Sequence, residues 1–159
     1  MTATELLISS DSHAQVSHDS VKAHLATKFH DEYDSAVRAF QQRMAKGAGK
    51  ANQAWQSERK RDEAASSFRL RNMTRPGHSD GVARLADMDT DGVQQEVIYS
   101  EVSAFRYIRD LKTGQAEATV AFNEALREFG AADPSRLIVS YQIPIHDIDA
   151  AVEIGRAHV

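Results

Sequence analysis

Asp11-Ser12-His13 sets a carboxylate and an imidazole two residues apart. Side chains alternate along an extended strand, so two residues at that spacing point the same way. Both side chains are ligands for a divalent metal ion. The apolar run Leu6-Leu7-Ile8-Ser9-Ser10 just before them reads as a short strand ending at Asp11, which puts the pair at a strand end. The competing account is an Asp that caps the following turn beside a solvated His.

Other motifs carry less. Asp87-Met88-Asp89-Thr90-Asp91-Gly92 matches the first half of an EF-hand loop, but the twelfth position, which needs a bidentate Glu, is Ile98. A helix end with exposed acids accounts for it. His18-Asp19, His30-Asp31 and His146-Asp147 are doublets of the type used by helical metal-dependent phosphohydrolases; surface histidines are the simpler reading. Gly47-Ala48-Gly49-Lys50 lacks the spacing and trailing hydroxyl of a phosphate-binding loop. Glu58-Arg59-Lys60-Arg61-Asp62-Glu63 mixes signs and reads as a solvated helix face.

The elements that must position these residues alternate. Val21, Leu25 and Phe29, then Tyr33, Val37, Phe40 and Met44, recur at helical spacing, and Lys46–Lys50 breaks the pattern. A second charged helix spans about Gln53 to Arg71, with Trp55 and Phe68 as packing anchors. Val82 to Asp89 predicts a helix capped by Gly92, and Val93 to Tyr99 a strand. Ala116 to Phe129 predicts a helix with Val120, Ala121, Ala125, Leu126 and Phe129 in one stripe, stopped by Gly130. Leu137 to Tyr141 predicts a third strand, and a last helix begins near Asp147. Strands that alternate with helices imply a parallel sheet with right-handed crossovers and chemistry at the C-terminal strand ends. Those ends hold Asp11 and His13, Tyr99 and Glu101, and Gln142, with His146 just beyond.

The composition narrows the class. The 159 residues are 42% hydrophobic and 26% charged, enough for one folded domain and too apolar for a disordered tail. The absence of Cys removes disulfides, thiolate metal ligands and thiol nucleophiles. A net charge of −4 and a pI near 6.0 give no reason to expect nucleic acid or an anionic membrane as partner. No apolar run is long enough to span a membrane, and the N-terminus lacks the basic start of a secretory signal, so a cytoplasmic protein is expected.

Several motifs in order resemble the amidohydrolase-related family, which includes the aminocarboxymuconate-semialdehyde and resorcylate decarboxylases. Ile8-Ser9-Ser10-Asp11-Ser12-His13 is similar to its opening strand. Arg75-Pro76-Gly77 and Arg84-Leu85-Ala86-Asp87-Met88-Asp89-Thr90-Asp91-Gly92-Val93 resemble its first barrel helix and second strand. Phe122-Asn123-Glu124-Ala125-Leu126 and Ala132-Asp133-Pro134-Ser135-Arg136-Leu137 resemble its second helix and the entry to the third strand. Pro144 and Asp149-Ala150-Ala151-Val152 fit the next helix.

The resemblance implies α/β architecture: the N-terminal portion of a TIM-type (β/α)8 barrel, with a helical insertion over about residues 17–73 after the first strand. It implies one divalent metal ion, zinc or manganese, with Asp11 and His13 as its first-strand ligands. The activity it implies is hydrolysis or non-oxidative decarboxylation of a small carboxylated or cyclic substrate, with a homodimeric parent as the expected assembly. Tyr99, Glu101, Gln142 and His146 are then candidates for the pocket wall. The chain departs from the family at Gln15, where many members carry a second His, and at Val16-Ser17, where others carry Glu-Pro.

A barrel of this kind takes about 250 residues. Three strands leave the remaining ligands and the catalytic acid or base unaccounted for, so the chain alone is expected to be inactive. Glu153 to Val159 is also the translation of GAG ATC GGA AGA GCA CAC GTC, which carries the start of a widely used sequencing adapter whose next codon in frame is a stop. Residues 1–152 are therefore expected to be the partial barrel, and 153–159 an adapter-derived tail. The alternative from another class is a non-catalytic α/β interaction module with a helical arm.

Overall fold

The computed structural model describes residues 6–56, 75–100, 106–144 and 147–157, with backbone alone for 47–56 and 157. Strand β1 (Ile8–Ala14) leads into helices α1 (His18–His24) and α2 (His30–Gln56). Helix α3 (Gly81–Asp91) precedes β2 (Gln95–Ser100), and α4 (Gln115–Gly130) precedes β3 (Leu137–Val139). Helix α5 (Ile148–Ala157) ends the described chain and runs into the stretch read as adapter-derived. The three strands form one parallel sheet in the order β1-β2-β3, the alternation the sequence predicts.

Local signals fix most boundaries. Ser17 caps α1 by accepting from the Ser20 amide at 3.0 Å, and Asp80 caps α3 by accepting from Ala83 at 2.9 Å. Gly92 ends α3 in the left-handed region at φ 73°, where a side chain would be strained.

Three expectations are corrected. Strand β1 is not confined to Leu6–Ser10: pairing with β2 carries it through Asp11 and His13 to Ala14, with one extra residue between Ser9 and Ser12. The glycines near Lys46–Lys50 do not break the helix, because α2 continues to Gln56. Each costs about 1 kcal/mol against Ala, and the Ala, Lys and Gln around them are good helix formers. In α4, Val120 is not part of the buried stripe; it is exposed, and Phe122 is fully buried instead. The charged run Glu58–Glu63, Phe68 and the Trp55 side chain lie outside what is described.

Two apolar clusters meet along α4. Its Phe129 packs with Ala14, Met88, Ile98 and Leu137 on one face of the sheet. Its Ala118, Ala121, Phe122, Ala125 and Leu126 pack with Val21, Leu25, Tyr33 and Val37 of the helical insertion. Burying each large side chain contributes about 1.5–3 kcal/mol. The opposite sheet face stays open: Val97 and Tyr99 alternate with Ile98, and Ile8, Tyr99 and Ile138 are exposed.

A buried hydrogen-bonded chain ties the insertion to the segment after β2. Tyr107 Oη lies 2.7 Å from Tyr33 Oη, which lies 3.1 Å from His18 Nδ1. Burial pushes the Tyr33 hydroxyl up to about 12 against the opposing hydrogen bond from Tyr107, and burial raises Tyr107 as well. Burial lowers the His18 pKa, opposed by the carboxylates of Asp19 and Asp34. With Nδ1 unprotonated, His18 accepts from Tyr33, and Tyr33 is then free to accept from Tyr107. Protonated His18 must donate, which reverses both bonds and leaves the Tyr107 proton buried without an acceptor among the described residues. An unsatisfied buried donor costs about 1–3 kcal/mol.

The folded form therefore binds this proton less readily than the unfolded chain. The stability that follows is fully present above the ordinary value of 6.5 and is lost as pH falls through the lowered folded one. Denaturation midpoints should drop between pH 7.5 and 5.5, and His18→Asn, which keeps a neutral acceptor, should shrink that drop. An unchanged pH dependence in the variant contradicts the clamp.

Candidate functional site

The Asp11–His13 pair sits in the C-terminal half of β1, where His13 pairs in register with Tyr99 and Ala14 with Ser100. His13 Nε2 and Asp11 Oδ1 are 3.5 Å apart, beyond good hydrogen-bond range. The extra residue at Ser9–Ser12 does not separate them. Asp11 is exposed, and His13 is partly so. The Tyr99 ring lies 6.3 Å from the His13 ring, centre to centre, on the same sheet face.

Gln142 reaches the same rim. Its Nε2 donates to Ser100 Oγ at 3.2 Å. Its backbone is gripped on both sides by the fully buried Asn123, which donates to Gln142 O and accepts from Gln142 N, each at 2.9 Å. The structure thus brings Asp11, His13, Tyr99 and Gln142 to one end of the sheet. Glu101 and His146 lie outside the described residues. Two of the His-Asp doublets lie elsewhere: His18 belongs to the tyrosine chain and His30 Nε2 hydrogen-bonds Leu25 O at 2.9 Å.

Behind β1 stands a polar support that residue spacing did not reveal. Arg84 donates through Nη2 to the carbonyl of His13, holding the strand end that carries the pair. Its Nε stands 3.7 Å from Glu96 Oε2. Asp87, in the stretch that half matches a calcium loop, pairs with Arg75 at 2.5 Å, and Asp89 pairs with Arg136 at 2.8 Å. A Cβ at Gly77 would displace the Asp87 carboxylate and press on the Arg84 backbone, 3.1 Å from its Cα. The available signal was Glu96 itself: it shares the inward parity of Ile98 in a strand, where an acid needs a partner.

Chemically, the pair offers two donors for one cation. Two metal bonds of about 2.1 Å at a near-tetrahedral angle separate their donor atoms by about 3.4 Å. The 3.5 Å observed is close to that tetrahedral edge, and is equally the separation of a simple His–Asp ion pair. Among the described residues no group of three or more His, Cys, Asp or Glu could hold a metal ion, so the edge is two ligands and no more. No family model, no curated protein and no solved structure matches the chain. Among the described residues no helix is long and apolar enough to cross a membrane.

Arg84→Met would leave the Glu96 carboxylate, 9% exposed, without its counter-charge. Such a loss costs about 3–5 kcal/mol, and adding Glu96→Leu should recover much of it. Denaturation midpoints check this; a double variant no more stable than the single one contradicts the pairing.

Proposed function

We propose that the chain is the N-terminal part of a metal-dependent enzyme on a (β/α)8 barrel, acting as a hydrolase or non-oxidative decarboxylase on a small carboxylated or cyclic substrate. The observation that carries this is the 3.5 Å separation of Asp11 Oδ1 and His13 Nε2 at the C-terminal end of a parallel strand. That end of such sheets is where ligands and chemistry collect. The open sheet face supports the same reading. Parallel strands are found almost only with both faces covered, and in a barrel the second face is the packed interior.

A divalent ion held there would polarise a substrate carbonyl or carboxylate and lower the pKa of a bound water. This chain's own residues have narrower tasks. Asp11 and His13 supply two ligands. Arg84 fixes the strand end beneath them through the His13 carbonyl. Tyr99, on the same face as His13, and Gln142, tied to Ser100, form part of the wall a substrate would meet. Further ligands and the proton-transfer group would come from other strands of the barrel.

A second reading, a non-catalytic interaction module, draws on the exposed Ile8, Tyr99 and Ile138, since an exposed apolar face is a natural contact surface. Sedimentation separates the two: a monodisperse, cooperatively unfolding chain favours the module, and aggregation favours the partial barrel.

The metal reading predicts that zinc added to the whole chain shifts the His13 ring nitrogens in 15N spectra, saturating at one ion per chain. Asp11→Asn should weaken this at least tenfold, and His13→Ala should remove one equivalent of bound zinc. Equal zinc uptake by the wild type and the Asp11→Asn/His13→Ala variant would rule the pair out.

A further inference from the structure

Arg84 and Glu96 form the most buried ion pair among the described residues, with side chains 17% and 9% exposed. Arg84 Nε and Glu96 Oε2 have no surface open to solvent, so no ligand reaches them. At 3.7 Å the two charges face each other without a hydrogen bond. A buried pair of this kind adds little stability over apolar residues of similar volume, so its presence needs another reason.

Arg84 has one. Its Nη2 donates to the His13 carbonyl and holds the end of β1. That hold brings a full positive charge behind the residue whose ring, with Asp11, forms the proposed metal edge. Solvent and salt screen a buried charge weakly. Left alone, it would offset the single negative charge that Asp11 offers a divalent cation.

Glu96 removes that conflict. It occupies an inward position of β2, where an acid needs a partner, and its carboxylate faces Arg84. The other acids on the cleft beside it do not take its place. Asp87 is paired with Arg75 at 2.5 Å, and Asp91 is exposed.

We propose that Glu96 is a charge-balancing residue for the Asp11–His13 edge. It neutralises Arg84, so that the guanidinium holds the His13 carbonyl without repelling a divalent cation at the ring. The inference rests on the metal reading of the pair. Glu96 acts through Arg84, as a positioning residue and not as a ligand.

The test is a zinc titration of the whole 15N-labelled chain, read at the His13 ring nitrogens. Glu96→Gln keeps the shape but leaves Arg84 charged and unpaired, and should weaken zinc binding at least tenfold, the usual scale for groups behind a ligand. Arg84→Met/Glu96→Leu removes both charges and should bind within about threefold of the wild type. Glu96→Asp keeps the charge and should also stay within about threefold. Wild-type affinity in Glu96→Gln would overturn the proposal. So would equal weakening in Glu96→Gln and the double variant, which would make the support one of shape alone. A tenfold loss in Glu96→Asp would overturn it even if Glu96→Gln does not fold. No zinc uptake by the wild type would remove the metal reading and this inference together.

Discussion

Helix α4 has to satisfy two cores at once. Its last turns set Phe129 against Met88, Ile98 and Leu137, closing one face of the sheet. Ala118, Phe122 and Leu126 on the same helix close the cluster built by α1 and α2. The small side chains of Ala118, Ala121 and Ala125 let α1 approach closely, and a larger residue at any of them would push the arm away. Asn123 then adds a polar grip on Gln142, so this helix also fixes where the chain leaves β3. Sheet, arm and strand-end rim all take their positions from it.

That arrangement leaves one side of the sheet to other partners. The strands show inward alternation on the α4 face, with Ile98 fully buried. On the other face they carry His13, Val97, Tyr99 and Ile138, a mixture of chemistry and apolar surface that a barrel interior would bury. The Arg84–Glu96 support lies on the helix side, and Arg84 holds the carbonyl of His13, so the Asp11 and His13 side chains sit on a strand end pinned from behind. The insertion is pinned separately, by the Tyr107–Tyr33–His18 chain.

The sequence showed the alternation of strands and helices because period-two and 3.6-residue patterns are local. The α3 limits and its Gly92 cap followed from the same local chemistry. The Asp11–His13 pair was legible from types and spacing alone, and Tyr99 and Gln142 followed from strand ends. The end of β1 was not, since Ser, Asp and His have weak strand preference and are held extended by pairing with β2. The continuity of α2 through its glycines was hidden because breaker residues outweigh their neighbours in a pattern reading. Contacts across long separations were beyond reach: Tyr33 to Tyr107, Arg84 to His13, and Asn123 to Gln142. Glu96 was the exception that could have been found, as a charge at an inward strand position.

The central claim is that Asp11 and His13 form one edge of a metal site. Anomalous diffraction from zinc-soaked crystals tests it most directly. The account predicts a single strong peak about 2.1 Å from both His13 Nε2 and Asp11 Oδ1. A peak at another histidine, with none between these two atoms, would contradict it.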